Sequence, residues 1–168
     1  MLDRDLLQHL VDTHGPCVRV VTAEVLGSAP REVGAAMVVW EDGQHGTIGG
    51  GTLEFEAAKT AREHLTNGVR ANVSRHPLGP ALGQCCGGAV TLVNERIDGT
   101  FLDNLLEKQA FSRRVEGSNE QPFAFTRELA NARSGGQQIE ARLLDGWWIE
   151  TLYQAPRQLW IWGAGHVG

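Results

Sequence analysis

The chain has 168 residues, 42% of them hydrophobic, enough for one sizeable core or a domain with a small extension. Its net charge of −5, from 15 basic and 20 acidic residues, leaves no basic surplus to neutralise phosphates and argues against nucleic acid as the main partner. No apolar run approaches the roughly 20 residues of a bilayer span. The start Met1-Leu2-Asp3-Arg4-Asp5 lacks the basic and apolar stretches of a secretion signal, and three cysteines, two of them adjacent, make no disulfide framework. The expectation is a cytoplasmic protein.

In chain order, residues 2–14 read as an amphipathic helix, with Leu2, Leu6, Leu7, Leu10 and Val11 on one face and Asp3 and Asp5 at its positive end. Gly15-Pro16 stops it, and the β-branched run Cys17–Val25 predicts a strand with Cys17 in the core. The loop Gly27–Gly34 leads to a second strand, Ala35–Trp40, and Asp42-Gly43 has hairpin chemistry. A short strand through Thr47-Ile48 runs into Gly49-Gly50-Gly51, after which Thr52 is placed to cap a helix reaching about Leu65. Residues 71–76 read as a strand, 79–88 as a second glycine-rich loop, and 89–94 as a strand.

Beyond that point, 101–109 reads as helical and 112–121 as a polar linker. Residues 123–129, 139–144 and 147–152 read as strands, the last two joined through Asp145-Gly146. Trp147, Trp148, Trp160 and Trp162 read as core or interface. The apolar run Leu159–Trp162 is followed by Gly163-Ala164-Gly165-His166-Val167-Gly168, a G-x-G-x-x-G directly after a strand. Neither the helix nor the acidic residue that such a motif requires falls within the sequence, so a Rossmann-like domain is only begun. The expected class is α/β: a mixed α+β domain over 1–110, a linker and β-rich extension over 111–155, and the start of a Rossmann-like domain over 156–168. An unpaired apolar terminal strand invites association, which predicts a homo-oligomer.

The 21 glycines exceed the roughly 12 expected at the usual ~7% and cluster between apolar strands. Gly49-Gly50-Gly51, at a helix start, is either an anion cradle of backbone amides or a tight turn that no side chain fits. Glu54 either caps that helix, the simpler role, or holds an amine or a cation. Arg31 offers a planar fork for a phosphate, against a surface pairing with Glu32. Ser28 is a hydroxyl donor or a turn residue. Cys85 and Cys86, between Gln84 and Gly87-Gly88, have amides nearby that lower a thiol pKa and suit a nucleophile, a sulfur acceptor or a soft metal ligand; the alternative is a buried small hydrophobe. The six histidines form no recognised metal motif.

Three blocks together resemble the XdhC/CoxI family: Gly27-Ser28-Ala29-Pro30-Arg31-Glu32-Val33-Gly34-Ala35, Gly46-Thr47-Ile48-Gly49-Gly50-Gly51-Thr52-Leu53-Glu54, and Leu82-Gly83-Gln84-Cys85-Cys86-Gly87-Gly88. The resemblance implies an accessory protein, not an enzyme, that binds molybdenum cofactor (molybdopterin). It would assist the cofactor's sulfuration and its insertion into a xanthine dehydrogenase-type apo-enzyme. Implied cofactor contacts are Ser28, Arg31, Gly49, Gly50, Gly51, Glu54, Gln84, Cys85, Cys86 and Gly87, with Cys85 or Cys86 as a molybdenum contact. Implied partners are that molybdenum hydroxylase and a cysteine desulfurase, with no nucleic acid or membrane. Ala29 stands where the family commonly has serine or threonine. The competing readings are an NAD-dependent oxidoreductase, disfavoured because only one loop of its site is present, and a cysteine-based sulfurtransferase.

Overall fold

A computed structural model describes residues 1–79, 87–117, 119–133 and 139–153. It is of the mixed α/β class expected. The first helix, α1 (Arg4–His14), starts two residues into the predicted range because Asp3 caps it, accepting from the Leu6 amide at 3.0 Å. Leu2 is drawn out instead as a short parallel bridge to Leu152. Strands β1 (Cys17–Leu26), β2 (Ala36–Val39) and β3 (Gln44–Gly46) follow, then α2 (Gly51–Asn67), β4 (Ala71–Pro77) and β5 (Ala89–Ile97). The five strands form one antiparallel sheet in the order β3-β2-β1-β5-β4.

Alternation along these strands builds two cores. Val18 and Val20 of β1, Met37 and Val39 of β2, and Val90 and Leu92 of β5 face α2, which meets them with Leu53, Ala57, Ala58 and Ala61. Small alanines bring the helix close to the sheet. Val21, Ala23 and Val93 point the other way, toward Trp148 and Val115. Between Thr22 and Glu24 the β1–β5 register slips. That bulge restores Val25 to the α2 side and bends the strand end that carries the loop Gly27–Gly34.

The second half departs from expectation in three places. The helix expected over 101–109 is only α3 (Gly99–Asp103), because the chain must be extended by Gln109, whose carbonyl accepts from Leu152 N at 2.9 Å. The polar 112–121 segment is no linker at its start: β6 (Ala110–Arg114) pairs with β8 (Trp147–Thr151), which also pairs with β7 (Arg142–Leu144). Residues 123–129 belong to a helix, α4 (Phe123–Arg133). Phe125, Leu129 and Ala132 share one buried cluster at helical spacing, which the Phe-Ala-Phe-Thr alternation hides. The Asp145-Gly146 hairpin forms as read, with φ of 48° and 77°. The three-stranded sheet covers the face of the large sheet opposite α2. No helix among the described residues is long and apolar enough to cross a membrane. Residues 159–168, with the glycine motif and His166, lie outside the described residues.

Candidate functional site

The loop Gly27–Gly34 leaves the end of β1, and Gly49 and Gly87-Gly88 reach it. On one side Gly49 comes so close that an added Cβ would stand 2.5 Å from Pro30 Cβ and 3.5 Å from Arg31 Cγ. On the other, Ser28 makes a parallel bridge with Gly87. A Cβ on Gly88 would meet the backbone oxygens of Ser28 and Leu26 at 2.2 and 2.5 Å. Leu78 N donates to Gly88 O at 2.7 Å, fixing the other end of that approach. Glycine is required at 49 and 88 for contact between chain segments, so the first two blocks and Gly87-Gly88, far apart in sequence, form one patch at the end of the sheet.

Within the patch Ser28 and Arg31 are exposed. The Arg31 side chain, 41% exposed, lies 3.7 Å from Glu32, a solvent-screened pair that leaves its fork accessible. Gly49, Gly50 and Gly51 have φ of 125°, 75° and 66°, so the tight-turn requirement is met at all three. Thr52 does not cap α2; Gly50 is the cap residue, without a side-chain bond of its own. Glu54 takes that part by reaching back. Its Oε2 accepts from Gly50 N at 3.0 Å, Ile48 N at 2.9 Å and Thr47 Oγ1 at 2.5 Å, while its Oε1 accepts from Gln44 Nε2 at 3.2 Å. Thr47 Oγ1 in turn accepts from Gly49 N at 3.0 Å. Partial burial pushes the Glu54 carboxyl up, but the bonds from Thr47, Gly50, Ile48 and Gln44 outweigh it and hold the group below 4.5. The same bonds end β3 at Gly46 and turn Thr47-Ile48, expected as strand, into the loop.

Gln84, Cys85 and Cys86 lie outside the described residues, and Gly87 is the first described residue after them. Cys17 is buried in the core as expected, and burial pushes its thiol up to about 11. Among the described residues no group of three or more His, Cys, Asp or Glu is placed to hold a metal ion.

The most prominent charged cluster was not anticipated. Between the two sheets, Glu150 accepts from Arg19 Nη1 and Nη2 at 2.8 and 2.9 Å, from Arg113 Nη2 at 2.7 Å and from Trp148 Nε1 at 2.7 Å. Arg113 also donates to both oxygens of Glu95. All four charged residues are buried. Burial pushes the Glu150 carboxyl up, yet the two guanidinium groups outweigh it and bring it to about 2. Burial works against the charge of Arg113 as well, and the two carboxylates more than compensate, raising its pKa. A sequence signal existed: Arg19 within CVRVV is a lone charge in an apolar run, and Glu95 of β5 is its direct cross-strand neighbour.

Residues 10–75 match the family model described as the XdhC and CoxI family. A solved structure described as a xanthine dehydrogenase from Bacillus halodurans is similar, with a TM-score of 0.54 and 26% identity over 67% of this chain. The match covers 37% of that protein, so this chain spans little more than a third of its length. No curated protein matches the chain. The family match contains the first two glycine blocks, and Gly87-Gly88, beyond its end, lie against the first of them. Over residues 10–75, then, this chain is similar to the XdhC and CoxI family.

Proposed function

We propose that this chain is part of an accessory protein that binds molybdenum cofactor and helps its sulfuration and insertion into a xanthine dehydrogenase-type apo-enzyme, without turnover of its own. The observation that carries this reading is the convergence of Gly49 and of Gly87-Gly88 on the loop Gly27–Gly34. Exposed Arg31 and Ser28 lie beside two close backbone approaches, which supports a ligand patch over isolated turns. Arg31 would clamp a terminal phosphate and Ser28 would donate a hydroxyl. Gly51, Gln84 and Gly87 would offer backbone or amide groups to the pterin, and Cys85 or Cys86 would offer a soft thiolate to molybdenum. The cofactor itself would bring the metal–sulfur chemistry. The molybdenum hydroxylase apo-enzyme would receive it, and a cysteine desulfurase would supply the sulfur.

The test is retention of freshly released cofactor, mixed anaerobically with the purified chain and assayed for pterin and molybdenum. Wild type should retain it stoichiometrically. Arg31→Ala should weaken retention about 10-fold or more, the scale of one charge-assisted bidentate contact, and one of Cys85→Ala or Cys86→Ala should lose the metal. A folded wild-type chain that retains neither pterin nor molybdenum would sink the reading for this chain.

A further inference from the structure

An anion site at a helix start works when several amides point at one place and are free to donate. Around Gly49–Gly51 the amides converge, but they are already committed. Ile48 N and Gly50 N donate to Glu54 Oε2, and Gly49 N donates to Thr47 Oγ1, whose hydroxyl proton goes to the same Oε2. Among the described residues only Gly51 of the three glycines keeps its amide uncommitted. Glu54 therefore stands where a bound phosphate oxygen would stand, and it is tethered by its own helix. The bonds are to an ionised acceptor, about twice as strong as neutral ones. An incoming phosphate must break them and also approach a like charge.

We infer that Glu54 is a resident anion that closes loop 47–51 to phosphates, so that the loop selects against the anionic end of a ligand and leaves that end to Arg31. This refines the carrier reading by assigning which part of the cofactor the loop turns away. The role is one of specificity and of positioning: the same carboxylate gives the loop its shape and denies it to anions.

Inorganic phosphate is the probe, with backbone amide resonances of the full chain as the readout. In wild type, Ile48, Gly49 and Gly50 should stay unmoved up to millimolar phosphate. In Glu54→Gln, whose side-chain carbonyl still accepts from Gly50 and Ile48 and so keeps the loop folded, these amides should shift saturably. The phosphate affinity should rise on the order of tenfold, since a charged competitor has been removed. Glu54→Ala, where folded, should bind tighter still. Saturable shifts of the wild-type loop amides would overturn the inference, as would a folded Glu54→Gln that responds to phosphate no better than wild type. Failure of the carrier reading is separate: it appears as lost cofactor retention by the wild-type chain and leaves the phosphate titrations unaltered.

Discussion

At the scale of single residues, the patch depends on atoms that are absent. Gly88→Ala would drive a Cβ against two backbone oxygens that no rotamer change can clear. We expect it to cost about 1–3 kcal/mol in urea unfolding and to move the amide resonances of Leu26 and Ser28. Gly79→Ala is the control, because nothing lies within 4 Å of its added Cβ, and its effect should stay within about 0.5 kcal/mol. A Gly88→Ala variant as stable as Gly79→Ala would mean that the blocks do not touch as described. Asp3 carries a smaller, local contribution through the α1 cap, and Asp3→Ala should lower stability by about 1 kcal/mol. The need for glycine at 49 and 88 is legible in sequence only as a cluster of glycines. Which of them meets Pro30 and which meets Ser28 depends on strand register.

Between elements, the principal fact is the ion network joining the two sheets. Removing one member strands its partners in a dry interior, so Glu150→Ala should destabilise by about 3–5 kcal/mol, read from the urea midpoint. The pH dependence follows from the carboxyl's depression from 4.5 to about 2. A lowered folded-state pKa means the unfolded chain takes up the proton first. The contribution of Glu150 is therefore complete above about pH 4.5 and is lost as pH falls toward 2. Glu150→Gln should flatten that limb of the stability profile, and an unchanged acid limb would show that the network does not carry it. Here the sequence misled for a physical reason. Polar composition at 112–121 reads as exposure, but Arg113 is buried because Glu95 and Glu150 meet it from two other strands. Those partners are 18 and 37 residues away, beyond any local pattern.

For the whole molecule, the layers run α2, the five-stranded sheet, then the three-stranded sheet with α4 beside it. The N-terminus is tied to the exit of β8, where Leu2 N donates to Thr151 O at 2.9 Å and Tyr153 N donates to Leu2 O at 2.7 Å. Changes at either end of the described chain should thus be felt at the other. The apolar run Leu159–Trp162 supports an expectation of self-association. Light scattering at micromolar concentration should give more than the 18.3 kDa of one chain, and a monodisperse monomer would remove that expectation.

By itself the sequence determined the strands β1, β2, β4 and β5, the helices α1 and α2, the Asp145-Gly146 hairpin and the three glycine blocks. Each of these is written in local chemistry: β-branched runs, a helical apolar stripe, or a turn dipeptide. The family resemblance, carried by the order of the blocks, needed no structure either. Tertiary structure alone decided that α4 is a helix, that β6 pairs with β8, and that Glu54 turns back to hold Ile48 and Gly50. It also decided that Arg19 and Arg113 converge on Glu150. These outcomes rest on contacts between segments distant in the chain or on burial of charge by remote partners, and neither leaves a periodic signal in the neighbouring residues.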